Sequence, residues 1–245
     1  MARRLILHCL PPDGPGCVLQ RRFLDAALPQ RARVELSDPM HQSRSRWPEG
    51  LPEPLGPVRL LHGPTPFGYF DGLSAPVLHV MVLGDPADAF VRFAQRLMLA
   101  DAQEVRAAAG AWPDEAAAAD LDSMVDWLLD QSLVRRTRLG AATRLTAGAP
   151  LISGGAEAAE MLPAARANLS RVNLLIGLEG RLDAFAQDLS EVMGWTPPFQ
   201  EVESKAAASP GAEALGASVR ARLAAATAAD RALLGAAEEA VREDA

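Results

Sequence analysis

The chain has 245 residues, 49% of them hydrophobic, enough to bury the core of one large α/β domain or two small ones. A net charge of −7 argues against a nucleic-acid or anionic-membrane surface as partner. Lys205 is the only lysine, so any lysine-dependent chemistry must use it, and the two cysteines, Cys9 and Cys17, flank one short loop, which excludes a long-range disulfide framework.

Leu5–Cys9 is an apolar run stopped by Leu10–Gly16, the pattern of a buried strand feeding a Gly/Pro loop. With two arginines before it and only about six apolar residues, it is shorter than a secretory core of about 7–15. No apolar stretch reaches the roughly 18 residues needed to span a bilayer, so a cytoplasmic chain is expected. Cys17–Leu28 has helical spacing, with Val18, Leu19, Phe23, Leu24 and Ala27 on one stripe. Val34–Leu36 reads as a second strand, and His41–Pro57 as a polar, Pro-containing loop. Val58–Leu61 and Val77–Leu83 are continuous apolar runs, as expected of parallel strands covered on both faces.

The spacing then predicts a helix over Ala87–Ala100, with Phe90, Phe93, Ala94, Leu97 and Met98 facing the core. Asp101–Gln131 is mostly helical, broken at Trp112-Pro113, with Asp114 capping its second part. Gly154–Ser170 reads as a helix, Val172–Leu178 as a fifth strand and Arg181–Met193 as a helix. Residues 206–211 form a linker to residues 212–243, one or two Ala-rich helices with Thr227 as a candidate cap and Asp230 in a first turn. The β-α-β rhythm predicts an α/β fold: a three-layer sandwich with a central parallel sheet of about five strands and a mostly helical second half. One domain spans 1–245.

In an open parallel sheet, ligands bind beyond the carboxyl ends of the strands. Leu10–Cys17, His62–Gly68 and Gly84–Arg92 arrive there. The four histidines, His8, His41, His62 and His79, have no metal-ligand spacing with the cysteines, so no metal site is expected. His8 and His79 lie inside apolar strands and read as packed side chains. Arg135, Arg136, Arg138 and Arg144 form a local basic cluster, either a solvated face or a seat for an acidic sugar or phosphate.

Taken in order, these segments resemble the bacterial and Golgi-type carbohydrate sulfotransferases related to heparan sulfate 2-O-sulfotransferase. Leu5–Leu19 is similar to that family's opening strand, phosphosulfate loop and helix. Leu61–Gly68 resembles its Gly-His-x-x-Phe-Gly segment, and Val77–Arg92 its strand followed by Arg-Asp-Pro-x-x-Arg-x-x-Ser. Arg135–Gly140 sits where the family has an Arg followed by a Gly. The late pieces ARANL (residues 165–169), LIGLEGRLDAF (175–185) and VMGW (192–195), with the final helix around Ala229–Leu234, complete the set. The resemblance implies a P-loop-like sulfotransferase fold and sulfuryl transfer from 3′-phosphoadenosine 5′-phosphosulfate (PAPS) to a sugar hydroxyl. It places Gly14, Gly16, Cys17, Asp85 and Arg92 on the donor side, His62 as the candidate base, and Arg135, Arg136 and Arg138 on the acceptor.

The groups this chemistry needs are largely replaced. The family's lysine falls on Pro12 or Asp13, depending on the gap, and Pro15 removes an N–H from the loop. Its histidine falls on Pro64, so His62 replaces it only with a shifted backbone. Gly84, Ala89 and Arg92 stand where Arg, Arg and Ser are expected; Asp85-Pro86 keeps the turn. Loss of one electrostatic stabiliser costs about 10²–10³ in rate, and loss of a general base about 10²–10⁴. The expectation is a pseudoenzyme: a sulfotransferase-fold protein that no longer transfers sulfate and acts as a binding or adaptor protein for a protein partner, a sugar or an acidic small molecule. The alternative is an active PAPS-dependent sulfotransferase with a rearranged site, using His62 as base and Arg92 or the arginine cluster on phosphate.

Overall fold

The computed structural model describes residues 5–9 (backbone), 19, 23–24, 27–35, 58–68, 76–115, 117–149, 151, 157–195 and 211–243. It is a mixed α/β structure, mostly helical. The strands are β1 (Leu5–Cys9), β2 (Arg33–Glu35), β3 (Leu60–Gly63), β4 (Val77–Leu83) and β5 (Leu174–Leu178). They pair in parallel in the order β2-β3-β1-β4-β5. From β1 the chain first runs to the β2 edge and later to the β5 edge. The reversal lies between β1 and β4, where a parallel sheet opens a crevice at its carboxyl end.

Strand alternation sorts the core into two faces. Leu60, Leu78, Val80 and Val82 pack with Leu19, Phe23 and Leu24 and with Phe185, Ala186 and Leu189 of helix α7 (Leu182–Met193). Leu61, Met81 and Leu83 point the other way, onto α5 (Ala141–Thr146), α6 (Ala158–Leu169) and α9 (Ala228–Glu243) through Leu145, Ala165, Leu233 and Ala237. Helices therefore lie against both faces, which is why β4 is buried from Leu78 to Leu83 and apolar except for His79. A third cluster joins α1 (Pro86–Met98), α2 (Ala102–Ala109), α3 (Leu121–Asp130), α4 (Ser132–Thr137) and α8 (Ala217–Ala226), with Phe93, Leu97, Val105, Leu128, Val134 and Leu223 at its centre.

Local chemistry sets the helix ends. Asp85 caps α1, its Oδ1 accepting from Ala87 N at 2.8 Å and Asp88 N at 3.1 Å, with Pro86 in the first turn. Asp101 caps α2 in the same way. Asp114 accepts from Ala117 N at 2.8 Å but caps only a turn; α3 starts later, at Leu121, under Asp120, which accepts from Ser123 N. The Ser123 hydrogen bonds hold the Asp120 carboxyl below the usual carboxylate range. Thr227 does not cap forward: its hydroxyl donates back to Leu223 O at 2.8 Å, where α8 ends and α9 begins.

Other differences from the sequence reading are small. β3 and β5 start two residues late, β2 spans Arg33–Glu35, and α6 is described from Ala158. Met98 is exposed, because the buried stripe of α1 runs through Ala87, Phe90, Val91, Phe93, Ala94 and Leu97. The acidic C-terminal helices are core elements through Leu223, Leu233 and Ala237. Linker residues 206–210 lie outside the described residues. Among the described residues, no helix is long and apolar enough to cross a membrane.

Candidate functional site

The carboxyl end of β4 is the corner where the sequence places a phosphate. Leu83 is in register with Leu178, so Gly84 and Glu179 leave the sheet side by side. A Cβ built at Gly84 would overlap the Glu179 carboxylate, so only glycine fits there without displacing it. Glu179 pairs with Arg92 at 3.3 Å, each side chain about one-third exposed at 34%. Asp85 spends Oδ1 on the first amides of α1 and lies 3.7 Å from Arg231 of α9 through Oδ2. The corner thus carries two carboxylates matched by two guanidiniums. The helix N-terminus that would attract a phosphate already holds the protein's own carboxylate.

His62 is the next-to-last residue of β3, in register between His8 of β1 and Glu35 of β2, and it is only 6% exposed. Its burial fits a packed strand-end histidine better than a base open to a sugar hydroxyl. His79 is fully buried against Phe67, ring centroids 4.6 Å apart. The loop carrying Phe67 is pinned to α5 by Phe67 N donating to Leu145 O at 2.8 Å. Gly14, Gly16 and Cys17 lie outside the described residues.

The basic cluster divides. Arg138 is not among the residues lining the arginine cleft; its guanidinium lies over the Phe93 ring, 4.5 Å from the centroid. Arg135 and Arg136 of α4 and Arg144 of α5 line a cleft of about 750 Å³ together with Arg222 of α8. Arg222 ion-pairs with Asp126 and with Asp130, the latter at 2.8 Å, and these carboxylates raise its pKa further. Arg144 is only 7% exposed, and its Nε has no hydrogen-bond partner. Gly140 sits at positive φ (72°) before α5, and a Cβ there would overlap that of Ala158; α5 and α6 approach this closely because residue 140 has no side chain. Behind the cleft, Asp230 accepts from Thr143 N at 2.8 Å and Thr143 Oγ1 at 2.7 Å. Burial pushes the Asp230 carboxyl up, while these bonds and the Arg144 charge pull it partly back.

No protein-family model matches the chain, and no curated protein matches it. The arrangement must therefore be read from its own chemistry. Among the described residues, no cluster of three or more His, Cys, Asp or Glu side chains is placed to hold a metal ion.

Two family-like residues turn out to serve packing. Asn168 of the ARANL piece donates to Thr146 O at 2.8 Å, tying α6 to α5. Trp195 of VMGW packs on Phe23, with centroids 6.1 Å apart. Sequence reasoning missed Glu179, Arg231 and Arg222. The signal for Glu179 was Gly84 itself: a glycine at a strand end, where a larger residue is expected, marks a close neighbour. Identifying that neighbour requires the β4–β5 register.

Proposed function

We propose that this chain is a sulfotransferase-like, three-layer α/β protein that has lost PAPS-dependent sulfuryl transfer and works as a binding protein. The observation that supports the reading is the β4–α1 corner, where the Glu179 carboxylate fills the space beside Gly84 and pairs with Arg92. The donor is polyanionic, and more negative charge develops on its bridging oxygen as the bond breaks. A phosphate entering this corner would have to separate Arg92 from Glu179. The burial of His62 weighs in the same direction.

Isothermal titration of the purified chain with PAPS, and with its desulfated product, tests the reading. The expected result is no saturable heat at micromolar concentrations of either nucleotide. Micromolar or tighter binding, or transfer of labelled sulfate to a glycan pool that is abolished by His62→Ala, would overturn it.

A further inference from the structure

The cleft beside α4 holds a cation that is itself buried and has an unspent donor, Arg144, whereas Arg92 at the sheet corner, although its Nη2 also lacks a hydrogen-bond partner, is part-exposed and already lies beside Glu179. Arg144 keeps Nε–H out of water with no acceptor. An unsatisfied buried donor on a charged group costs free energy until an acceptor arrives, and an anion is the acceptor that gains most from it. Arg135 and Arg136 stand at exposed positions along the same cleft. With Arg222 held by Asp126 and Asp130, the lining leaves three guanidiniums, Arg135, Arg136 and Arg144, against Glu157, so an anion is favoured over a neutral or cationic guest.

The remaining lining sets the shape and class of the guest. Alanines from α6, α8 and α9 leave room rather than fill it, and the volume of about 750 Å³ falls within the small-molecule range. Among the described residues, no aromatic ring lines the cleft, so none of them offers a nucleotide base a stacking partner. Ser132, Asp130 and Glu157 add hydroxyl and carboxylate oxygens, which suit a guest rich in hydroxyls. We infer that this cleft binds a small anionic sugar, its phosphate or carboxylate group meeting Arg144, Arg135 and Arg136 and its hydroxyls meeting the acidic rim. The site deepens the binding-protein reading, yet it stands on the cleft itself and not on the sulfotransferase resemblance.

Titration calorimetry of the full chain with glucose 6-phosphate, glucuronate and glucose tests it. At least one of the two anions binds saturably and at least tenfold more tightly than glucose; which one does so distinguishes a phosphate ester from a uronate. Arg135→Ala combined with Arg136→Ala, both at exposed positions, weakens that binding by about tenfold or more in a protein whose thermal melt is unchanged. Arg144→Met weakens it similarly, checked on protein shown to be folded by its near-ultraviolet circular dichroism. Failure of both anions to bind better than glucose, or binding unchanged in the Arg135→Ala, Arg136→Ala double variant, overturns the proposal. PAPS binding that survives the double variant would instead count against the loss of the donor site and leave the cleft standing.

Discussion

At the carboxyl end of β4, each carboxylate has an arginine beside it: Glu179 pairs with Arg92, and Asp85 lies near Arg231. In the cleft formed by α4, α5, α6 and α8, Arg144 is buried with Nε unpaired, while Arg135 and Arg136 stand exposed. Both regions are rich in arginine, but charge count alone does not distinguish a closed ionic contact from a seat for a ligand. Whether the guanidinium already sits at ion-pair distance from a carboxylate does: among the described residues, Arg92 has Glu179 beside it, although its Nη2 makes no hydrogen bond, and Arg144 is buried without such a pair. The corner behaves as a structural joint between the sheet, α1 and α9, and the cleft as the place where charge is left over.

The sharpest way to break the comparison is to disturb what both regions lean on. Phe93 lies in the α1 core and beneath the Arg138 guanidinium. Phe93→Ala is expected to cost about 3–5 kcal/mol in urea unfolding, through the cavity and the lost stacking. Gly84→Arg drives a side chain against the part-exposed Glu179 carboxylate and is expected to cost about 1 kcal/mol. Glu179→Ala in the same chain should recover more than half of that loss in the same unfolding assay. If Gly84→Arg alone is neutral, the corner is not the packed joint described here.

Equal or smaller effects sharpen the contrast. Asp85→Ala removes the α1 cap and should cost about 1 kcal/mol by chemical denaturation. The Arg135→Ala, Arg136→Ala double variant should stay within about 0.5 kcal/mol of wild type, as expected for exposed positions that serve a ligand more than the fold. The pH dependence of Asp230 has a defined sign. Its folded carboxyl binds a proton more tightly than the unfolded chain does, chiefly because of burial. Its contribution to stability is therefore fullest below the ordinary value of 3.8 and falls as pH rises from there through the raised folded value. In urea midpoints, the advantage of wild type over Asp230→Asn should be larger at acid pH than at neutral pH.

Much of the scaffold was legible because its signals are local. The run Val77–Leu83, apolar except for His79, gave β4 its bounds, and Asp85-Pro86 gave the start of α1. Errors came where a second signal competed. Asp114 is a sound cap residue, but the turn it caps does not propagate, and Asp120 begins the helix six residues later. Met98 fits the stripe by spacing but is the last residue of α1, beyond Leu97, and is exposed. The candidate site was less legible because it depends on pairs distant in sequence. Glu179 meets Gly84 only through the β4–β5 register, and Arg222 reaches Arg144's cleft only after α8 has folded back across α3. Arg135, Arg136 and Arg138 look equivalent in sequence. On a helical turn they diverge, and only the first two line the cleft.

The proposed loss of donor binding turns on the β4–α1 corner being closed by the chain's own Glu179 carboxylate. Calorimetric titration of PAPS into the wild-type protein, repeated on Arg92→Ala, tests it most directly. The account predicts no saturable binding at micromolar donor in either protein. Micromolar binding to wild type that is lost in Arg92→Ala would contradict it, since Arg92 would then hold a phosphate in place of Glu179.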